Sequence, residues 1–198
     1  MLSANAALHR LREGNKRFAT SRGGAAALIT HSERNELASG QNPFAIILGC
    51  SDSRVPAEII FDQGLGDLFV IRVAGNVILP AVMGSIQYAG VHLHTPLLMI
   101  LGHEGCGAVE AAVAMQAQGT RERAHITLLL QGILPGLPNP DATLTKEKQI
   151  AVAVEANVRW SMHQLLDTPE GQARMAEGIV KLVGAVYDLK TGCVRFLP

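Results

Sequence analysis

Charged side chains are scarce in this sequence: Asp, Glu, Lys and Arg make up only 17% of its 198 residues. Basic and acidic residues balance at 17 each, which leaves no formal net charge while the histidines are neutral. A balanced chain gives nucleic acid or an anionic membrane no electrostatic reason to bind, so we expect neither as a partner. Because a compact chain with little charge leaves apolar surface exposed, we do expect a subunit interface.

Long apolar runs are also missing. No segment approaches the roughly 18 to 20 uncharged apolar residues that cross a bilayer, and the N-terminus has no apolar run of signal-peptide length. We therefore expect a cytoplasmic protein. Cysteine is rare and odd in number, since the sequence contains only Cys50, Cys106 and Cys193. Such a count argues against a disulfide framework and favours metal binding or catalysis for a cysteine with polar neighbours.

Short apolar segments that stop at glycine or polar residues alternate with helical patterns along the chain. The segments FAIILG, DLFVIRVAG and PLLMILGH are typical of buried strands. The C-terminal residues predict two further strands joined by a turn at residues 190–192. The predicted helices cover residues 4–19, 81–92, 144–166 and the segment from Cys106 to about Gly119.

This alternation predicts an α/β fold with a mainly parallel central sheet flanked by helices. We expect a single domain over residues 1–198, a length that can bury a real core. Within it, residues 1–40 are expected to form an N-terminal helical arm and residues 41–198 the α/β core.

Two polar clusters follow the first and third predicted strands. The first is Cys50-Ser51-Asp52-Ser53-Arg54, and the second, GHEGCG, contains His103 and Cys106. Ligands of parallel α/β sheets bind beyond the carboxyl ends of the strands, so the two clusters can meet at one edge. Cys50, His103 and Cys106 then make a Cys2His set, the ligand type that Zn²⁺ prefers.

The predicted zinc site has three strong ligands and no obvious fourth. We expect Cys193 to lie in the core, far from the cluster. An open coordination position for water is typical of catalytic rather than structural zinc. Asp52 can reach the metal or its water, and Arg54 can hold Asp52 ionised and away from the metal through a two-point hydrogen bond.

The motifs CSDSRVPAE and GHEGCGAV, about fifty residues apart, resemble those of the β-class carbonic anhydrases. Further similarity runs through FDQGLGDLFVIRVAGN, SIQYAG, EANVRWSM and VGAVYDLKTG. The resemblance implies zinc held by Cys50, His103 and Cys106 with water as fourth ligand. It also implies reversible hydration of CO2 by zinc-bound hydroxide, with Asp52 and Arg54 as the catalytic dyad.

The plant-like branch of this family suggests further roles. Gln41 matches a glutamine that donates a hydrogen bond to substrate, and Phe69 and Tyr88 match aromatic positions of the CO2 pocket. The resemblance implies a homo-oligomer, either a dimer or a dimer of dimers. Relatives with an inhibitory bicarbonate site carry Trp three residues before the first cysteine ligand. Ile47 stands there in this sequence, so we predict no such inhibition.

Two alternatives remain open at this point. Relatives with the same active site hydrolyse carbonyl sulfide or carbon disulfide, and the shape of the substrate slot would decide between those substrates and CO2. A different class of protein, a non-catalytic zinc module, would use Asp52 as the fourth ligand. The presence of Arg54, which would restrain Asp52, argues against that closed site.

Overall fold

The computed structural model describes residues 2–24, 31–178 and 180–198. Part of the predicted N-terminal arm, residues 25–30, lies outside the described residues. The helices are α1 (Ala4–Ala19), α2 (His31–Leu37), α3 (Ala57–Ile60), α4 (Pro80–His92), α5 (Gly107–Gln118), α6 (Ala124–Gln131), α7 (Lys146–Leu166) and α8 (Pro169–Ala176). The strands are β1 (Ala45–Gly49), β2 (Leu68–Arg72), β3 (Leu97–His103), β4 (Lys181–Tyr187) and β5 (Val194–Phe196). Two 3-10 turns occupy Ala74–Asn76 and Leu134–Gly136.

The five strands form one sheet in the order β2-β1-β3-β4-β5. The first four are parallel, and only β5 runs antiparallel to its neighbour. The prediction of a mainly parallel sheet flanked by helices is therefore confirmed. Parallel strands need crossover connections, which the helices supply.

Every residue of β1 and β3 is buried, because helices cover both faces of the sheet. Side chains of a strand alternate between faces, so Ile46 and Leu48 join the core under α4, α5 and α7. Ile47 and Met99 point to the other face and pack in the core with α1 and α3. In contrast, the edge strand β2 is only half-buried.

Helix α1 begins where the sequence predicts. The Ser3 side chain accepts a hydrogen bond from Ala6 N at 3.2 Å and caps the first turn. Leu8 and Leu11 face the core, and Asn15 donates to the carbonyl oxygens of Ile60 and Gly192. Helix α1 is thereby fixed to the core rather than projecting from it.

The prediction that Cys193 lies in the core is wrong. Cys193 is exposed, because β5 begins only at Val194. Cys193 belongs instead to the turn before that strand. There its backbone N–H donates to the Thr191 hydroxyl at 3.2 Å.

Candidate metal centre

Strand register brings the two predicted clusters to one edge of the sheet. β1 pairs in parallel with β3, with Gly49 opposite Leu101. The residues that follow Gly49 therefore emerge beside the last two residues of β3. The chain turns sharply at Gly105, whose φ is +60°, and Cys106 then precedes the first turn of α5. Cys50, His103 and Cys106 consequently share one buried corner.

The three candidate ligand atoms of Cys50, His103 and Cys106 all lie within 4.8 Å of one another. The two Sγ atoms are 3.9 Å apart, and the three residues are at most 5% exposed. Two thiolates at about 2.3 Å from one tetrahedral zinc ion would be ~3.8 Å apart. The sulfur separation thus fits a shared zinc ion, and both cysteines are free of disulfide bonds.

The tautomer of His103 leaves Nε2 able to bind a metal ion. Its Nδ1 lies 2.9 Å from the carbonyl oxygen of Glu104, and a carbonyl only accepts, so Nδ1 carries the proton. Nε2 then carries a lone pair, is buried, and has no hydrogen-bond partner among the described residues. Leaving such an atom buried without a partner is costly, and a metal ion would satisfy it. A backbone carbonyl commonly fixes the tautomer of a metal-binding histidine in this way.

The two thiols differ in their protonation. Hydrogen bonds from the Cys106 thiol and from the Gly75 N–H lower the pKa of Cys50 despite its burial. The bond to Cys50 and burial raise the pKa of Cys106. Zinc binds thiolates, so metal binding must displace any proton that the Cys50–Cys106 pair holds.

Asp52 and Arg54 form the two-point pair that the sequence predicts. Arg54 Nε donates to Asp52 Oδ1 at 2.9 Å and Nη2 donates to Oδ2 at 2.7 Å. The backbone N–H of Arg54 adds a third bond to Oδ1 at 2.9 Å. These bonds hold the pKa of Asp52 well below its usual range. Asp52 Oδ2 lies 3.9 Å from His103 Nε2, so an ionised carboxylate stands beside the ligand atoms.

Arg72 is a site residue that the sequence analysis missed. Its Nε donates to the carbonyl oxygen of Cys50 at 3.1 Å, and Nη2 donates to that of Asp52 at 2.5 Å. Arg72 ends β2 opposite Gly49, so the register of the sheet delivers it to the Cys50–Asp52 loop. No local motif marks it, because the contact depends on strand pairing across twenty residues of chain.

Gln41, Phe69 and Tyr88 lie away from this corner. Phe69 pairs with Ile46 near the start of β1, and Cys50 follows Ile46 by four residues, or about 13 Å of extended strand. The rings of Phe69 and Tyr88 are 6.3 Å apart. Gln41 precedes β1 and is exposed. All three residues therefore lie near the amino ends of the strands, whereas the metal-ligand cluster of their own chain lies at the carboxyl ends.

Comparisons with known proteins identify the family. A family profile described as carbonic anhydrase matches residues 45–194. The chain is 42% identical over 190 residues to carbonic anhydrase 2 of Mycobacterium tuberculosis, covering 94% of this chain and 89% of that one. It is 37% identical over 196 residues to a carbonic anhydrase of Mycolicibacterium smegmatis, covering 96% and 91%. The solved β-carbonic anhydrase CcaA has a TM-score of 0.76 at 26% identity, covering 96% of this chain and 95% of that one. The chain belongs to the β-class carbonic anhydrases.

Membership of the β-carbonic anhydrases confirms the predicted family, fold and enzyme class, a lyase acting on CO2. In the described part of this β-carbonic anhydrase, no helix combines the length and apolar character needed to cross a bilayer. The division into a single domain with an N-terminal arm stays a prediction.

Proposed function

We propose that this β-carbonic anhydrase hydrates CO2 reversibly, to bicarbonate and a proton, at a zinc ion held by Cys50, His103 and Cys106. One observation carries the proposal. Three buried ligand atoms converge within 4.8 Å, while the neighbouring carboxylate of Asp52 is bonded by Arg54. This arrangement supports a three-ligand site with an open position, the pattern of catalytic zinc.

Zinc, when bound, lowers the pKa of its water to about 7 and hence supplies a nucleophile at neutral pH. Asp52 would accept a hydrogen bond from that water and orient it. Arg54 keeps Asp52 ionised and directs both of its oxygens. Arg72 holds the backbone between Cys50 and Asp52, so the ligand and the carboxylate keep a fixed relation.

The closed-site alternative requires Asp52 to become the fourth ligand. Three hydrogen bonds from Arg54, two from its side chain and one from its backbone, oppose that movement. The open, catalytic site is therefore favoured.

Substrate binding by Gln41, Phe69 and Tyr88 requires a second copy of the chain. Phe69 pairs with Ile46, about 13 Å of strand from Cys50 within one chain, and Tyr88 lies beside Phe69, too far to contact CO2 at its own zinc site. Tyr88 is 49% exposed, so another subunit can reach it. We propose a homo-oligomer, a dimer or a dimer of dimers, in which one subunit supplies these side chains to the metal centre of another. A cytoplasmic location remains part of the proposal.

Stopped-flow CO2 hydration by the purified protein tests this function, before and after zinc is removed with a chelator. We expect rapid turnover that is lost with zinc and restored when zinc returns. His103→Ala, which deletes one of three ligands, should lose both zinc and activity. The rate of carbonyl sulfide hydrolysis, measured in parallel, shows which of the two compounds is the preferred substrate. Zinc at one per chain with no CO2 turnover at any pH would overturn the proposal.

A further inference from the structure

The 3-10 turn after β2 has an unusual backbone. Gly75 has φ 68° and ψ 16°, and Asn76, which is not glycine, has φ 45°. Two successive residues in the left-handed region are disfavoured for L-amino acids, Asn less than most. A Cβ at position 75 would lie 2.7 Å from Ile133 Cδ1, the end of a side chain that can shift, so the positive φ rather than the packing favours glycine here. Such a turn persists only where its surroundings hold it.

This turn contacts the metal centre directly. The backbone N–H of Gly75 donates to Cys50 Sγ at 3.4 Å, and Gly75 is buried. A hydrogen bond to a thiolate draws charge from the sulfur and orients its remaining lone pairs. Partners of this kind beyond the ligands orient the ligands and tune the metal.

Helix α7 holds the turn from the other side. Asn157 Nδ2 donates to the Gly75 carbonyl oxygen at 2.8 Å, and Ser161 Oγ donates to that of Asn76 at 3.2 Å. Both side chains are 1% exposed and lie one helical turn apart. Their neighbours Val154 and Val158 belong to the apolar core, where a polar side chain is costly unless it is bonded.

We propose that Asn157 is a positioning residue for the metal centre, acting through Gly75 on the Cys50 ligand. Asn157 fixes the carbonyl group of the same residue whose N–H bonds the Cys50 sulfur. It therefore keeps the left-handed turn in place and the N–H directed at the ligand. The inference rests on the proposed zinc site, and it gives α7 a function beyond covering the sheet.

The loss of Asn157 should be visible at the metal. Asn157→Leu keeps the number and branching of the side-chain heavy atoms and removes the donor on a face that is otherwise apolar, so folding should survive. We expect zinc affinity to fall by up to about 10- to 100-fold, the range for loss of a partner of a ligand, and zinc to leave the holoenzyme correspondingly faster into a chromogenic chelator. In the cobalt-substituted protein, the thiolate-to-metal charge-transfer band should move to lower energy, because Cys50 loses a hydrogen bond.

Asn15→Leu is the matched control. Asn15 is also a buried asparagine on a helix, and it donates to two backbone carbonyl oxygens, at 3.2 and 2.9 Å, on the side of the molecule covered by α1. The control should lower stability yet keep wild-type zinc release and the wild-type cobalt band. Equal acceleration in this variant would mean a general structural effect and would overturn the inference.

Asn157→Ala provides a second test if the leucine variant does not fold. Faster zinc release with the shifted cobalt band in a folded variant supports the inference. Wild-type release and an unshifted band in either folded variant overturn it and leave the proposed zinc site intact. A wild-type protein that binds no zinc would instead overturn the proposed function, and the inference with it.

Discussion

The Asp52 carboxylate lies next to the metal-ligand atoms, with Oδ2 3.9 Å from His103 Nε2, yet both of its oxygens are bonded by Arg54. Its lowered pKa means that it is ionised throughout the neutral range. An ionised carboxylate beside zinc has two options, to bind the metal or to accept a hydrogen bond from the water there. The two-point bond from Arg54 favours the second.

Asp52→Ala should therefore separate zinc binding from catalysis. We expect zinc at one per chain, because the three ligands remain, and kcat/KM for CO2 hydration about 10²- to 10⁴-fold lower. Metal analysis and stopped-flow assays measure the two effects. Asp141→Ala removes an exposed carboxylate bonded to Thr143 and should keep full activity. Full turnover in Asp52→Ala would refute the role given to Asp52.

Arg54→Lys tests whether geometry or charge restrains Asp52. Lysine keeps the positive charge but cannot reproduce the planar two-point bond. We expect a fall in kcat/KM of about 10- to 100-fold, comparable to other losses of a group that orients the site. Arg159→Lys is the control, since Arg159 Nε and Nη2 both bond Glu155 on the surface of α7. Unchanged activity in both variants would show that charge alone is enough.

At the scale of elements, β1 and β3 could be predicted because their apolar runs stop at the residues that leave the sheet. The segment 67–75 was predicted to be extended to its end, whereas β2 stops at Arg72. The chain stays extended through Val73 and then enters the 3-10 turn Ala74–Asn76, where Gly75 and Asn76 have positive φ, a departure that the pattern of apolar residues does not encode.

Helices α3, α6 and α8 were not predicted. α3 has four residues, and α6 and α8 have eight each. Helices this short are marginal by themselves and owe their stability to packing, so local sequence carries little signal for them. The site residues could likewise be predicted only where they belong to local motifs. Arg72 and Asn157 contact the site through residues that are distant in sequence, which local motifs do not reveal. A lone asparagine on the apolar stripe of α7 was the one available signal.

The contact between α1 and α3 depends on a glycine. A Cβ at Gly14 would overlap the carbonyl oxygen of Phe61, which is backbone and cannot rotate away. Gly14→Ala should therefore lower the free energy of unfolding by about 1–3 kcal/mol, measured by urea denaturation. Gly84, exposed in the middle of α4, has no atom within 4 Å of such a Cβ. Gly84→Ala should gain about 0.5–1 kcal/mol, and equal effects would contradict the predicted overlap.

For the whole molecule, the proposed homo-oligomer would assemble one active site from the two ends of the sheet. The candidate metal ligands and Asp52 lie at the carboxyl ends of the strands, and Gln41, Phe69 and Tyr88 lie near the amino ends. A chain of low charge with Tyr88 half exposed is suited to association. If the carboxyl ends of the strands in each subunit met the amino ends in the other, two sites would be completed at once, as closed twofold symmetry requires.

Mixing two inactive variants tests this arrangement. Cys50→Ser should lack zinc but retain Gln41 and Tyr88, whereas Gln41→Ala/Tyr88→Ala should retain zinc but lack those two side chains. Subunit exchange would then unite an intact metal centre with intact side chains from the other chain. If half of the dimers are mixed and each has one complete site, CO2 hydration should recover to about a quarter of the wild-type rate.

The control mixture combines Cys50→Ser with His103→Ala. Neither chain can then hold zinc by itself, so exchange creates no complete site and the mixture should stay inactive. Mass spectrometry of the intact assemblies shows whether exchange has occurred. Recovery only in the first mixture would mean that one subunit supplies the substrate-binding residues to the other. Silence in the first mixture, despite demonstrated exchange, would mean that each chain forms its site alone and that Gln41 and Tyr88 act elsewhere.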